Sequence, residues 1–380
     1  MSEIPRNDKA IHGIVGALAA RLDWSADKEF KFDGSPSSLG ITSDLSEIAR
    51  RLIKEARRSS PSESAERLLR FISENVIDQH EAIVLWGFTP KEATQLLDDV
   101  YVVPVADLPE SSQKRMVVDE RRGGPYEFGA RPRAALSRAF RFGPVLDVSL
   151  PHVGDPPPGS VSRVDKFQAM VKMATALTAA IDAPVYRVFS WSLPDETAPV
   201  PIGGRGSGTY QPHAYMDGPV VDIAASPASE VVKAYLDLSP ETAAALQIPL
   251  SRLNSAKLEA LDESRLADAF LDLGIALEVL LGKKDEKSEV AYRLRTRGAV
   301  LRGGDGTHRV GTSAVLNAVY DARSQVAHGG ALGSMKVSGR GSVPASDLFR
   351  EAVSITQELI QIVIKQGAIP DWDRLVLGGA

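Results

Sequence analysis

The sequence predicts an α+β fold, with a mixed α/β region over residues 1–250 followed by an all-α helical bundle over 251–380. Three observations predict it. Short apolar runs at Ala82–Trp86, Val100–Val105 and Val185–Leu193 have strand character. From Asn254 to the end, glycine-bounded segments repeat apolar residues at helical spacing. The 380 residues, 43% hydrophobic and 24% charged, have the length and mix of a globular chain of two or three domains.

The first segment, Ile11–Ala20, is apolar and ends like a short export signal. His12 interrupts it, and Glu3 and Asp8 sit beside Arg6 and Lys9, so an ordinary helix or strand is expected. Leu45, Ile48, Ala49, Leu52 and Ile53 then fall on one helical stripe. A second helix is predicted from Ser60-Pro61-Ser62-Glu63. There serine can cap, proline suits the first turn and glutamate can reach back. Its apolar face is Leu68, Leu69, Ile72 and Val76. A further helix is expected near Pro90–Leu97, between the first two strands.

Residues 110–145 change character. Lys114, Arg115, Arg121, Arg122, Arg131, Arg133, Arg138 and Arg141 are interleaved with Tyr126, Phe128, Phe140 and Phe142. Cations beside aromatic faces suit single-stranded RNA. The same residues also fit a strand-rich segment with solvated arginines outside and phenylalanines inside. His152 to Ser160, with Pro156-Pro157-Pro158, reads as a linker, and the front region could divide near 151–160. A helix with Phe167, Met170, Ala174, Leu177 and Ile181 on one face follows. Gly203 to Gly208 lacks the Gly-Lys-Ser/Thr ending of a phosphate loop and reads as a turn or hairpin.

Ser239-Pro240 opens the next helix. In the bundle, Leu266, Phe270, Leu273, Leu277, Leu280 and Leu281 form a stripe ended by Gly282. Further helices are expected over Glu286–Leu301, Thr312–His328 and Ser346–Lys365. The boundary between the regions is placed near residue 250.

Composition excludes several classes of function. Forty-four Lys and Arg against 49 Asp and Glu give a net charge of −5, so any anion binding needs a local patch. With no cysteine, disulfides, thiolate zinc sites and cysteine nucleophiles are absent. No stretch approaches the ~18 apolar residues a membrane span needs, and a cytoplasmic location without membrane association is expected. No histidine cluster has metal-ligand spacing: His12, His80, His152 and His213 stand apart.

One segment carries chemistry: Tyr320-Asp321-Ala322-Arg323-Ser324-Gln325-Val326-Ala327-His328-Gly329. On a helix, Val315, Val319, Ala322 and Val326 face the core, while Arg323, Tyr320, Ser324 and His328 fan over about 140° beside them. Arginine offers a planar fork that matches phosphate oxygens, and histidine titrates nearest neutrality. The spacing Arg-x4-His also fits a helix whose last-turn histidine faces the C-terminal dipole while arginine pairs with an acid.

The block from Ala269-Phe270-Leu271 through Ala276-Leu277-Glu278, on through Arg293–Leu301 to the Tyr320–Gly329 run, resembles the Apea-like branch of the HEPN superfamily. The resemblance covers about residues 255–365. It implies a bundle of antiparallel helices that dimerises so that two Arg-x4–6-His motifs share one cleft. It also implies a metal-independent endoribonuclease in a bacterial defence or toxin-like system, without a cofactor. Carried over by position, His328 would be the general acid or base and Arg323 would hold the scissile phosphate. Ser324, Tyr320 and Asp321 would support them, and Glu278 matches a recurrent glutamate that orients the arginine or supports the fold. Arg293, Arg295, Arg297, Arg302 and Arg309 could form a phosphate-binding track, or a solvated basic face. His308 could approach the cleft. Two positions depart from the family pattern: Ser324 stands where asparagine, aspartate or histidine is frequent, and Gly330 where one toxin subtype has tyrosine.

The partners expected are RNA, a second copy through the bundle, and a regulatory protein or ligand for the front region. The alternative is a non-catalytic scaffold of the same type binding RNA or a protein. A third reading makes the front region a sugar- or nucleotide-binding regulator.

Overall fold

The computed structural model describes residues 30–32, 41–43, 50, 52–54, 56–57, 60–74, 77–118, 131–142, 160–194, 205–208, 218–283, 289–329 and 332–378. The expectations for Ile11–Ala20, for most of the Leu45–Ile53 stripe, for 119–130 and for the proline-rich linker lie outside them.

The described front region begins with a strand pair, β1 (Phe30–Phe32) and β2 (Ile41–Ser43), and helix α1 (Pro61–Glu74). Ser60 caps α1 as predicted, its Oγ accepting from the Glu63 N–H at 3.2 Å. The strands β3 (Ile77–Trp86), β5 (Thr94–Leu97), β6 (Val100–Pro104), β7 (Ala134–Phe142), β8 (Tyr186–Pro194) and β9 (Arg205–Gly208) make one antiparallel sheet in the order β5-β6-β7-β3-β8-β9. The Gly203–Gly208 stretch thus contributes an edge strand. The helix expected near Pro90–Leu97 is instead β4 (Thr89–Pro90) and β5. Asp98, at φ +43°, turns β5 back into β6, and β4 pairs in parallel with β10 (Val220–Val221). Helix α2 (Ser112–Val118) falls within the arginine-rich 110–145 stretch.

Period-two alternation gives β3 two buried faces. Ile83 and Leu85 join a large core with helices α3 (Ser160–Ala180), α4 (Ala228–Leu236) and the C-terminal helices, while Ala82, Val84 and Trp86 join a smaller one with Trp191 and Val117. Arg138, one of the arginines expected outside, is 2% exposed opposite Glu81 on the large-core face; Nη2 lies 2.5 Å from the carboxylate.

The second half is helical: α5 (Pro240–Glu259), α6 (Leu266–Leu281), α7 (Val290–Arg302), α8 (Gly306–Ala327), α9 (Ala345–Gln366) and the short α10 (Trp372–Val376). A hairpin, β11 (Ser334–Val337) and β12 (Gly341–Pro344), joins α8 to α9. The chain is therefore a mixed α+β protein. Residue 250, where the sequence places the boundary, lies inside α5. That helix binds the halves together. Asn254 pairs with the Val185 backbone, accepting from N–H at 2.7 Å and donating to C=O at 2.9 Å. Buried Lys257 donates to the carbonyls of Thr178 and Ile181 at 2.7 Å each, and burial lowers its amine to about 7. From α9, Gln357 and Gln361 donate to Ala179 at 3.4 and 2.7 Å, and Gln357 also to Ile181 at 2.9 Å. These side chains satisfy carbonyls at the C-terminal end of α3 that the helix itself leaves open. No described helix is long and apolar enough to cross a membrane.

Candidate functional site

Helix α8 starts six residues before the predicted Thr312, because Asp305 caps it by accepting from the His308 N–H at 2.8 Å. Its apolar side, Val315, Leu316, Ala318, Val319 and Ala322, is buried, so the neighbouring arc is pushed to the rim. The helix ends on His328, whose N–H donates to the carbonyls of Ser324 and Gln325 at 3.2 and 3.3 Å. Gly329 follows at φ +81°, and its N–H donates to the Val326 carbonyl at 2.9 Å. Glycine is the residue that adopts this left-handed turn at little cost, so it fixes where the helix stops. His328 is exposed at that end.

Arg323 projects from α8 across α6. Nη2 donates to Glu278 Oε2 at 3.0 Å, with the two side chains 30% and 24% exposed. The stem of Arg323 lies over Gly274. A Cβ at that position would stand 2.6 Å from Cδ, 3.0 Å from Cγ and 3.2 Å from Cβ of the arginine. The Arg323 Nε is buried without a hydrogen-bond partner. Burial raises the Glu278 carboxyl above its ordinary value, and Arg323 pulls it the other way; the desolvation is the larger effect. The pair forms one half-open charged contact between α6 and α8.

The supporting residues divide. Tyr320 is half-buried and packs against the large core. Ser324 is half-buried and holds the His328 backbone through its carbonyl. Asp321 is exposed and accepts from Asn317 Nδ2 at 2.9 Å.

The proposed arginine track is not one surface. Arg297 is 5% exposed; its Nη1 donates to the Leu281 carbonyl at 2.8 Å and its guanidinium lies 5.6 Å from the Trp372 ring. It closes the end of α6, a structural task. Arg302 engages Glu358 with Nε and Nη2 at 2.6 and 3.1 Å, and Thr312 with Nη1 at 3.0 Å. Arg293 is half-buried. Arg295 is exposed, 5.4 Å from the Tyr292 ring, and Arg309 is exposed on the first turn of α8. At 1.5 Å per residue, Arg309 stands about 21 Å along the axis from Arg323, and His308 about 30 Å from His328. Neither reaches the motif of its own chain.

The other described histidine, His80, faces Ser137 with Nε2 2.9 Å from Oγ, and burial lowers its imidazole to about 4. His12, His152 and His213 lie outside the described residues. Among the described residues, no group of three or more histidine, aspartate or glutamate side chains is placed to hold a metal ion.

Sequence reasoning missed Gly274. The signal was available: a glycine inside a leucine-rich helix costs about 1 kcal/mol against alanine and needs a packing reason. Comparison with known proteins finds no matching family model, no matching curated protein and no matching solved structure.

Proposed function

We propose that the chain is an endoribonuclease of the HEPN type that cleaves RNA without a metal, by attack of a ribose 2′-hydroxyl on the adjacent phosphate. We take it to act as a homodimer through its C-terminal helices, in the cytoplasm, in a bacterial defence or toxin-like role. The observation that carries this reading is the placement of Arg323 and His328. The cation sits in a half-open contact on α6, and the imidazole is exposed about 7.5 Å further along the same helix axis.

In the reaction, the 2′-oxygen gives up its proton to a base as it bonds to phosphorus. The bond from phosphorus to the 5′-oxygen breaks, and that oxygen takes a proton from an acid. The products are a 2′,3′-cyclic phosphate and a 5′-hydroxyl. One imidazole does not accept and donate in the same step, so His328 of each of two copies would fill the two roles, each worth typically 10²–10⁴-fold. Arg323 would face the charge gathering on the non-bridging oxygens. Glu278 holds one corner of that guanidinium, so substrate phosphate competes with a carboxylate for it. The front region would sense a protein or ligand signal or present RNA.

That same pairing favours a second reading, a non-catalytic scaffold in which Arg323 and Glu278 tie α8 to α6. The test is incubation of wild-type and His328→Ala protein with end-labelled single-stranded and structured RNAs in excess EDTA. Cleavage by wild type alone, leaving 2′,3′-cyclic ends, is the expected result. Equal cleavage by both proteins would remove His328 from the chemistry. Silence from both, with RNA binding retained, would establish the scaffold.

A further inference from the structure

Helices α6 and α7 each carry one interior glycine, Gly274 and Gly298. A side chain added at Gly298 of α7 would meet apolar core atoms, 2.3 Å from Leu316 Cδ1 and 3.3 Å from Leu281 Cδ1. A side chain added at Gly274 of α6 would meet Arg323 alone among its three nearest atoms. The helix gives up propensity at Gly274 and receives the stem of a charged side chain in return. One helical turn further on, at the spacing that puts two residues on the same face, stands Glu278, the acceptor for the end of that side chain. Glycine and glutamate at i and i+4 therefore form a channel and a stop.

We infer that Gly274 is a positioning residue: the bare helix surface it leaves is the slot that aims Arg323 along α6, with Glu278 setting how far the guanidinium reaches. A methyl group there lifts the stem off the helix, because Cδ is the nearest atom and the stem is confined between α6 and α8. Arg323 then swings away from Glu278 and from any phosphate it serves. The burial of Nε without a partner fits this picture, since a stem pressed flat on the helix leaves that N–H facing protein and not water. The functional part of the inference rests on the ribonuclease reading. The slot itself rests on geometry.

The experiment is a double-mutant cycle on the full chain, with Gly274→Ala, Arg323→Ala and both together, followed by thermal unfolding. Gly274→Ala alone should lower Tm by several degrees. In the Arg323→Ala background the same change should leave Tm level or raise it, because alanine is the better helix former once the stem is gone. An equal loss in both backgrounds overturns the slot. Gly298→Ala serves as comparison, and its loss should be the same with or without Arg323. If Gly274→Ala alone does not fold, the slot predicts that the double variant does.

A second readout follows the Glu278 carboxyl by NMR titration, which a merely structural glycine would not move. Arg323 lowers that carboxyl against burial, so Gly274→Ala should raise it, as Arg323→Ala should; an unchanged titration overturns the inference. Against RNA, Gly274→Ala should lower kcat tenfold or more with a smaller change in KM. If wild type cleaves and Gly274→Ala cleaves equally well, the positioning role fails. If wild type does not cleave, the ribonuclease reading fails while the cycle and the titration still decide the slot.

Discussion

Two of the molecule's arginine–glutamate pairs, one in the sheet and one in the helical half, differ mainly in water. Arg138 and Glu81, in the sheet, are 2% and 1% exposed and 2.5 Å apart, with Ser192 Oγ 3.4 Å from the second carboxylate oxygen and the Phe140 ring 4.6 Å from the guanidinium. Arg323 and Glu278, in the helical half, are 30% and 24% exposed at 3.0 Å. The sealed pair has no route to a ligand and cannot be broken without stranding a charge. The open pair can exchange its carboxylate for another anion at modest cost. Charge of the same chemistry thus serves integrity in one place and is available for binding in the other.

The largest expected effect comes from opening the sealed pair. Glu81→Ala leaves Arg138 buried with only the distant Asp99 carboxylate, 4.0 Å from Nε, as its partner, and should cost about 3–5 kcal/mol in urea unfolding. A loss below about 1 kcal/mol would show that water reaches the pair, and the contrast would collapse. Acid tests the same sheet from its other face. His80 has a folded-state value of about 4 against an ordinary 6.5 because it is buried. Between those values the unfolded chain binds the proton and the folded chain does not. The neutral imidazole's contribution, of order 2–3 kcal/mol, is therefore present above pH 6.5 and lost as pH falls towards 4. Tm measured from pH 7 to 4 should drop more steeply in wild type than in His80→Gln; parallel curves would refute this.

Arg323→Ala should cost only about 1 kcal/mol, because the carboxylate left behind keeps a quarter of its surface in water. A cost near that of Glu81→Ala would mean the open pair is a structural keystone. The smallest effect sharpens the comparison most. In 1 M NaCl, where screening acts within about 3 Å, the coupling between Arg323 and Glu278 from a double-mutant cycle should shrink, while that between Arg138 and Glu81 should hold. Equal salt sensitivity would remove the distinction.

Much of this was readable in the residues. Three strands of the front sheet, β3, β6 and β8, the α5 start at Ser239-Pro240 and the buried face of the helix bearing Arg323 follow from periodicity and capping; β5 and β9 did not, and β7 lay in a stretch that also fitted an RNA surface. Pro90–Leu97 misled because so short a mixed segment carries no decisive period; the turn at Asp98 returns it as a strand. Residue 250, where the sequence places the boundary, falls inside α5, which runs on through a buried Pro249. Arginine composition named Arg297 and Arg302 as surface candidates, but burial and pairing depend on which helices meet, and sequence spacing does not record that. The pairing of Arg323 with Glu278 spans 45 positions, beyond any local rule.

The closure of the α3 end has a consequence for synthesis. Ala179 and Ile181 wait for Gln357 and Gln361 across separations of 176 to 182 residues. A ribosome emitting some 5–20 residues per second makes that helix end roughly 10 to 35 seconds before it makes its cap. Contacts of such long separation also slow folding. A chain halted before α9 should hold its front half in a form that proteases enter easily, and addition of α9 should shut it. Pulse proteolysis of released chains ending at residue 340 or at residue 370 would reveal that closing step.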